Sequence, residues 1–408
     1  MSEYAAQAPA GVVTEPAWLA VFSLAMGVFG LLTAEYLPAS LLTPMALDLG
    51  VSEALAGQAV TVTAVVALFA GLLVPGLTRS IDRRVVLLGF STLMIASNLL
   101  VALSSSLTVL LLMRILLGIA LGGFWSMAAA VAMRLVPTAS LPRALSIIFS
   151  GIAAGTVVAV PLGSYLGGLY GWRSAFIAAA AVGGVTLAFQ AFTLPRLAPS
   201  GTARLRTVLE VLLRPGIAMG MFGCVLVHTA HFALFTYIRP FLESTTGVDT
   251  QGLALMLLGF GVANFVGTLL AGWLLVRHPR GTLVLMPVLV GIAALALVWL
   301  PVSLPGQALL LALWGMAFGG VPVAWSNWVA RAVPDQAESA GGMVVASVQS
   351  AIAAGAAGGG LMFSVSGIAG VFVGAGVLML IAALLIALRV QVPRQDGDAG
   401  VTHQPSLV

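Results

Sequence analysis

Two charged residues stand where charge is costly. Glu35 lies in the run FSLAMGVFGLLTAEYLPA and Arg114 in LTVLLLMRILLGIALGG, and they are the one acid and the one arginine clearly inside long apolar stretches. Burying such a charge in hydrocarbon costs at least about 2.5–3.5 kcal/mol on the milder scales, so each needs a partner or an aqueous cavity. Desolvation raises a carboxyl pKa and a nearby guanidinium lowers it, so a carboxyl placed between these influences can load and release a proton. Glu35 is thus a candidate proton carrier with Arg114 tuning it. The other reading makes Glu35 a wetted helix end and Arg114 a backbone clamp or structural ion pair. His228 and His231 are spaced i, i+3 and so share a helix face. They titrate near neutrality and suit a second proton site, a substrate hydrogen bond or a helix–helix bond. No metal site is expected there.

The elements that position these residues follow from composition. Of 408 residues, 60% are hydrophobic and only 7% charged, where a soluble domain carries roughly 25% charge. Such a chain cannot coat a water-soluble surface, so the fold class is an all-α membrane protein. At roughly 20 residues per spanning helix, the apolar content provides about twelve spans and leaves no room for a soluble catalytic domain. The pI of about 9.8 reflects a net charge of only +4 over many loops, which reads as membrane topology rather than a nucleic-acid-binding face. The single cysteine, Cys224, excludes an intrachain disulfide. The first 16 residues hold Glu3 and Glu15 but no arginine, unlike a signal peptide, so the first helix is expected to be retained.

Twelve spans are expected near 17–38, 54–77, 84–104, 107–134, 144–168, 173–194, 215–238, 251–276, 282–303, 306–333, 338–365 and 367–389. They form a six-helix half at 17–194 and a second at 215–389, joined by a basic linker at 195–214, with tails at 1–16 and 390–408. With the N-terminus cytoplasmic, fourteen arginines fall inside and only Arg173 and Arg239 outside, a strong positive-inside signal that leaves both termini in the cytoplasm. An internal repeat runs through the chain. Gly122-Gly123 with Arg134-Leu135-Val136-Pro137 recurs as Gly319-Gly320 with Arg331-Ala332-Val333-Pro334 at an offset of 197, and the same offset carries Arg83 onto Arg280. Tyr36-Leu37-Pro38 has a looser echo in Tyr237-Ile238-Arg239-Pro240. Two parallel six-helix halves describe a transporter with its site near the bilayer midplane between them.

These residues carry a family likeness over nearly the whole chain. The loop from Gly76 to Arg84, with Asp82, Arg83 and Arg84, resembles an abridged Gly/Asp/Arg-rich gating loop of the major facilitator superfamily. Arg114 with Gly118 resembles its fourth-helix Arg-x-x-x-Gly motif, and Gly155 through Pro161 to Gly168 resembles the Gly/Pro antiporter motif, with Val160 in place of a glycine. The chain is similar to the twelve-span drug:proton antiporter group. Within it, Ala34-Glu35-Tyr36-Leu37-Pro38, Gly122-Gly123-Phe124-Trp125, Phe235 to Pro240 and the loop Asp335-Gln336-Ala337-Glu338 resemble the bacterial purine ribonucleoside efflux pumps. The resemblance implies proton-coupled export of inosine- and guanosine-type nucleosides across the bacterial inner membrane by a monomer, with the proton as coupling ion and no resident cofactor.

A nucleoside is flat at one end and hydroxyl-rich at the other, so its site wants aromatic faces and neutral hydrogen-bonding groups. Phe124, Trp125, Phe232 and Phe235 are candidates for stacking, and His228, His231, Asn264 and Gln349 for hydrogen bonds, with Asn98, Ser326 and Asn327 weaker. Trp325 and Trp328 are expected in the interfacial belt. Gly118-x-x-x-Gly122, Gly163-x-x-x-Gly167 and Gly355-Ala-Ala-Gly358 are expected to be packing devices. The rival cargoes are amphipathic drugs and sugars. An intramembrane protease is disfavoured, because His-Glu-x-x-His and a pair of intramembrane aspartates are both lacking. A channel is disfavoured by the two-half repeat.

Overall fold

In hydrocarbon every backbone N–H and C=O must be satisfied within the protein, and helices do this without leaving an edge. A computed structural model describes residues 15–137, 140–199, 210–301, 303–333 and 337–392. Most of the two tails, the middle of the linker, and Asp335 and Gln336 lie outside these residues. Among the described residues there are helices and no strands.

The chain separates into two compact units. Unit 1 holds the described residues before 203 and Gly247–Leu258; unit 2 holds the rest. In unit 1 the long helices are α1 (Trp18–Ser40), α4 (Gln58–Leu77), α5 (Arg83–Ala102), α6 (Leu107–Leu135) and α9 (Trp172–Thr193). Two short helices, α2 (Leu42–Leu49) and α3 (Glu53–Ala56), link α1 to α4. The fifth span is composite: α7 (Leu141–Ala154) opens into one π-helical turn, Gly155–Ala159, before α8 (Val160–Tyr170). That wider turn falls within the Gly/Pro run singled out above, just before Pro161, which has no N–H to continue an α-helical ladder. Side-chain caps start several of these helices: Asp82 accepts from the Arg84 N–H and Ser106 from the Val109 N–H.

Unit 2 has α10 (Ile217–Thr236), the short α11 (Ile238–Thr246), α12 (Thr250–Arg277, which enters from unit 1), α13 (Pro279–Trp299), α14 (Leu304–Ala332) and α15 (Ala337–Arg389). Eleven helical stretches among the described residues are long and apolar enough to cross a membrane. The last of them is two helices meeting at Gly367, whose φ of 70° and ψ of −177° are not helical. The chain reverses there, because a methyl on Gly374 would collide with the end of the Met362 side chain. In a straight helix those residues would be about 18 Å apart. Counting both arms is consistent with the twelve expected spans.

The repeat is visible as packing. A Cβ on Gly122 would strike the carbonyl oxygen of Ala67, and one on Gly319 would strike that of Asn264; the partners are again 197 apart. Gly118 meets the Thr63 carbonyl in the same way that Gly315 meets that of Phe260, once more at 197. So α6 lies against α4, and α14 against α12, through the same glycines in both halves. The expected packing role of Gly163 and Gly167 is also seen, against Leu37 and Leu41. Two expectations are corrected. Gly358 faces open space, and Gly359 joins Gly355 against α10 instead. Trp325 and Trp328 are buried, at 2% and 3% exposure, rather than interfacial. Gly220 and Gly223 on α10 leave the room their rings fill, and the Trp328 indole N–H donates to the Gln391 carbonyl at 2.9 Å.

These contacts predict that Gly122→Ala destabilises the protein in detergent by about 1–3 kcal/mol, as overpacking does. Gly358→Ala is expected to leave the thermal unfolding midpoint unchanged. Equal midpoints for the two variants would contradict the packing described.

Candidate functional site

Arg114 is fully buried on α6, and its hydrogen bonds explain how. Helix α1 continues through Pro38, which has no N–H to offer the Ala34 carbonyl one turn earlier. The Arg114 Nη1 donates to that carbonyl at 2.8 Å, and Nη2 reaches the Glu35 carbonyl at 3.4 Å. Its Nε donates to the Thr63 hydroxyl at 2.9 Å and lies 3.4 Å from the Ala59 carbonyl. One guanidinium thus ties α1 and α4 to α6 and satisfies a carbonyl that a proline left open. Glu35 is buried, at 4% exposure, inside a helix that runs on to Ser40 rather than at a wetted end. The structure therefore brings the two intramembrane charges of the sequence to the same place.

The repeat has no charge at the matching places in unit 2. Arg114 plus 197 is Leu311, which is buried, and the echo of Glu35 falls at Thr236–Tyr237. Unit 2 instead builds an aromatic cluster around α10. The His231 ring stacks on Phe318 with centroids 3.2 Å apart and planes at 1°, and Phe235 lies over it at 5.6 Å and 17°. Phe232 meets His231 edge-on at 5.1 Å, and the Trp314 indole N–H donates to its Nδ1 at 3.1 Å. The Nδ1 of His228 bonds the Cys224 carbonyl at 2.8 Å, and its ring meets Phe318 at 5.7 Å. Four expected residues, His228, His231, Phe232 and Phe235, are thus assembled in one cluster. Trp314 and Phe318 complete it and were missed, although the repeat held a signal: they replace Leu117 and Leu121 of the first half.

The remaining candidates separate. Phe124 is buried against Gly27 of α1, while Trp125 is half-buried and stacks on the exposed Phe149 at 5.8 Å. Asn264 spends its amide on the Gly315 carbonyl at 3.2 Å, a helix clamp. Gln349 is buried with no partner for its Oε1, and Asn98 is buried with neither side-chain atom partnered, among the described residues. Ser326 is exposed and Asn327 half-buried. Sequence reasoning also missed a buried knot in unit 1, where Ser91 donates to Gln190 Oε1 at 2.6 Å and Gln190 donates to the Ser23 carbonyl at 3.3 Å.

The expected gating loop is held to the far end of α9. Both carboxylate oxygens of Asp82 accept from the Leu197 N–H at 3.1 Å, and the Arg83 N–H donates to the Leu197 carbonyl at 2.9 Å. The Arg83 guanidinium bonds the Thr78 hydroxyl and carbonyl, and Arg84 reaches the Ala191 carbonyl at 2.6 Å. In unit 2, Arg280 repeats this last bond on the Ala387 carbonyl at 2.7 Å. Burial pushes the Asp82 carboxyl up, but the N–H groups of Leu197 and Arg84 and the charges of Arg134 and Arg196 outweigh it, leaving its pKa below the ordinary value.

A depressed pKa gives stability that is present above the unfolded value and lost as pH falls through the folded one. Asp82→Asn is therefore expected to lower the unfolding midpoint at neutral pH, with the gap to wild type closing on acidification below the ordinary carboxylate range. A gap that does not vary with pH would contradict it. Arg114→Leu is expected to cost about 1–3 kcal/mol per carbonyl left unsatisfied. Adding Pro38→Ala supplies an N–H for Ala34 and should recover about 1 kcal/mol of that loss. Strictly additive effects in the double variant would disprove the clamp.

The sequence model of the Major Facilitator Superfamily matches residues 18–356. Proteins named purine ribonucleoside efflux pump NepI from Salmonella enteritidis PT4 and from Salmonella typhi are each 43% identical over 380 residues, covering 93% of this chain and 96% of theirs. Among solved structures, a D-xylose-proton symporter aligns with a TM-score of 0.73 at 19% identity, covering 92% of this chain and 97% of its own. A bacterial homologue of the human lysosomal transporter Spinster, inward-facing and unoccupied, aligns at 0.70 and 16% identity, covering 91% and 96%. Those two identities speak for the fold alone. Together with the repeat and the paired helix packing, the match over most of its length shows that this chain belongs to the Major Facilitator Superfamily.

Proposed function

We propose that this transporter exports purine ribonucleosides such as inosine and guanosine across the bacterial inner membrane in exchange for protons, as a monomer with both termini in the cytoplasm. The observation that carries the reading is the division of chemistry between the two repeats. Unit 1 buries the Glu35 carboxyl and the Arg114 guanidinium in mid-span, whereas unit 2 has neutral residues at the matching places and surrounds two histidines with aromatic rings. A coupling ion and a flat neutral cargo call for these two environments. The names of the relatives at 43% identity support the cargo, and the arginine count supports the orientation.

Glu35 carries the proton in this scheme. While it is protonated, Arg114 rests on the carbonyls of Ala34 and Glu35; on deprotonation, the carboxylate competes for the same guanidinium donors. Binding and release of one proton thereby changes how α1 is tied to α6, the kind of two-state contact that alternating access requires. One proton inward against one neutral nucleoside outward moves one charge. That supplies about 2.3 kcal/mol per 100 mV, or roughly a fiftyfold gradient.

The test is radiolabelled inosine uptake into inside-out vesicles energised by a proton gradient. Wild-type uptake should collapse with an uncoupler and be outcompeted by guanosine but not by a sugar or a cationic drug. Glu35→Gln is expected to abolish gradient-driven accumulation while keeping inosine exchange down its own gradient. Full proton-driven uptake by that variant would sink the assignment of Glu35, and movement of sugar or drug in place of inosine would sink the cargo.

A further inference from the structure

The hydrogen bonds of the two histidines fix their tautomers. A carbonyl oxygen only accepts, so the 2.8 Å bond to Cys224 places a proton on Nδ1 of His228. An indole N–H only donates, so the 3.1 Å bond from Trp314 requires a lone pair on Nδ1 of His231. In a neutral imidazole the other nitrogen takes the opposite role. Nε2 of His228 is then an acceptor and Nε2–H of His231 a donor, and neither makes a further hydrogen bond within the described protein. A positive charge on His231 would set N–H against N–H at Trp314, so this ring is held neutral. Its ring stacks on Phe318 and lies nearly parallel to Phe235, so what it offers a ligand is its polar edge.

We propose that these two edges read the purine base of the cargo, with N1–H of a 6-oxopurine donating to His228 and O6 accepting from His231. The proposal rests on the nucleoside reading above and adds which part of the nucleoside this unit recognises. Fixed tautomers are what select the base over the sugar. A ribose hydroxyl both donates and accepts and would suit either tautomer, whereas the lactam edge of inosine or guanosine has one atom that only donates beside one that only accepts. The spacing i, i+3 puts both imidazoles on one face of α10. A cation offering donors alone would leave the His231 N–H unmet.

The experiment uses the full chain in inside-out vesicles, with radiolabelled inosine competed by unlabelled inosine or N1-methylinosine. Methylation removes the N1–H, so N1-methylinosine should compete about tenfold more weakly than inosine against the wild type, the scale of one neutral hydrogen bond. In His228→Phe the KM for inosine should rise about tenfold and the two competitors should become equal. His228→Gln keeps an acceptor and should regain part of the discrimination, which separates loss of the hydrogen bond from loss of fold. Equal competition against the wild type, or undiminished discrimination in His228→Phe, would overturn the base-reading role while leaving nucleoside export standing. Absence of gradient-driven inosine uptake by the wild type would instead remove the nucleoside reading and this proposal with it.

Discussion

Inside a bilayer no water is at hand to satisfy a stray carbonyl, and the bond from Arg114 to the Ala34 carbonyl answers that constraint directly. Pro38 opens a gap in the α1 ladder; a guanidinium from another helix closes it and carries a charge into the interior in doing so. The charge is tolerable because four acceptors on two helices surround it. A residue of this kind is structural and poised for function at once. The bonds that stabilise it are aimed at the backbone beside the one buried acid of the span, so a change in that acid's charge is felt where α1, α4 and α6 meet.

The two halves show how one scaffold supports different chemistry. Gly118 and Gly122 in one, and Gly315 and Gly319 in the other, bring paired helices close enough that a methyl group would strike the opposite backbone. Those positions are held at an offset of 197 while their neighbours on the same helices diverge: arginine against leucine at 114 and 311, leucine against tryptophan and phenylalanine at 314 and 318. Small residues set the approach of the helices, and the larger residues beside them are then free to become a charge clamp or an aromatic cluster.

Much of this was legible in the sequence, for physical reasons. Spans are readable because hydrocarbon imposes both length and composition on them, and the repeat because steric contact tolerates only glycine at Gly122 and Gly319. Glu35 and Arg114 were conspicuous because buried charge is rare. The partners of Arg114 were not, since a backbone carbonyl has no sequence signature beyond the proline that frees it. Trp325 and Trp328 were misread as interfacial because the space that receives them is made by Gly220 and Gly223 on a different helix. The bond from the Asn264 amide nitrogen to the Gly315 carbonyl had no signal either, because it depends on a close approach of helices.

The tautomers of the two histidines also bear on how coupling and cargo fit together. A second proton carrier would have to be a group able to take up charge where it sits. His231 accepts from Trp314 through the nitrogen that would have to be protonated, so in this arrangement it is committed to hydrogen bonding. In the proposed cycle Glu35 is the carrier, with one proton per turnover. With a neutral solute the exchange is driven by membrane potential as well as by the pH difference; with a monocation the electrical contribution would cancel. The neutral residues at the places that match Glu35 and Arg114 in the second repeat and the neutrality of a nucleoside are therefore two sides of one energetic requirement.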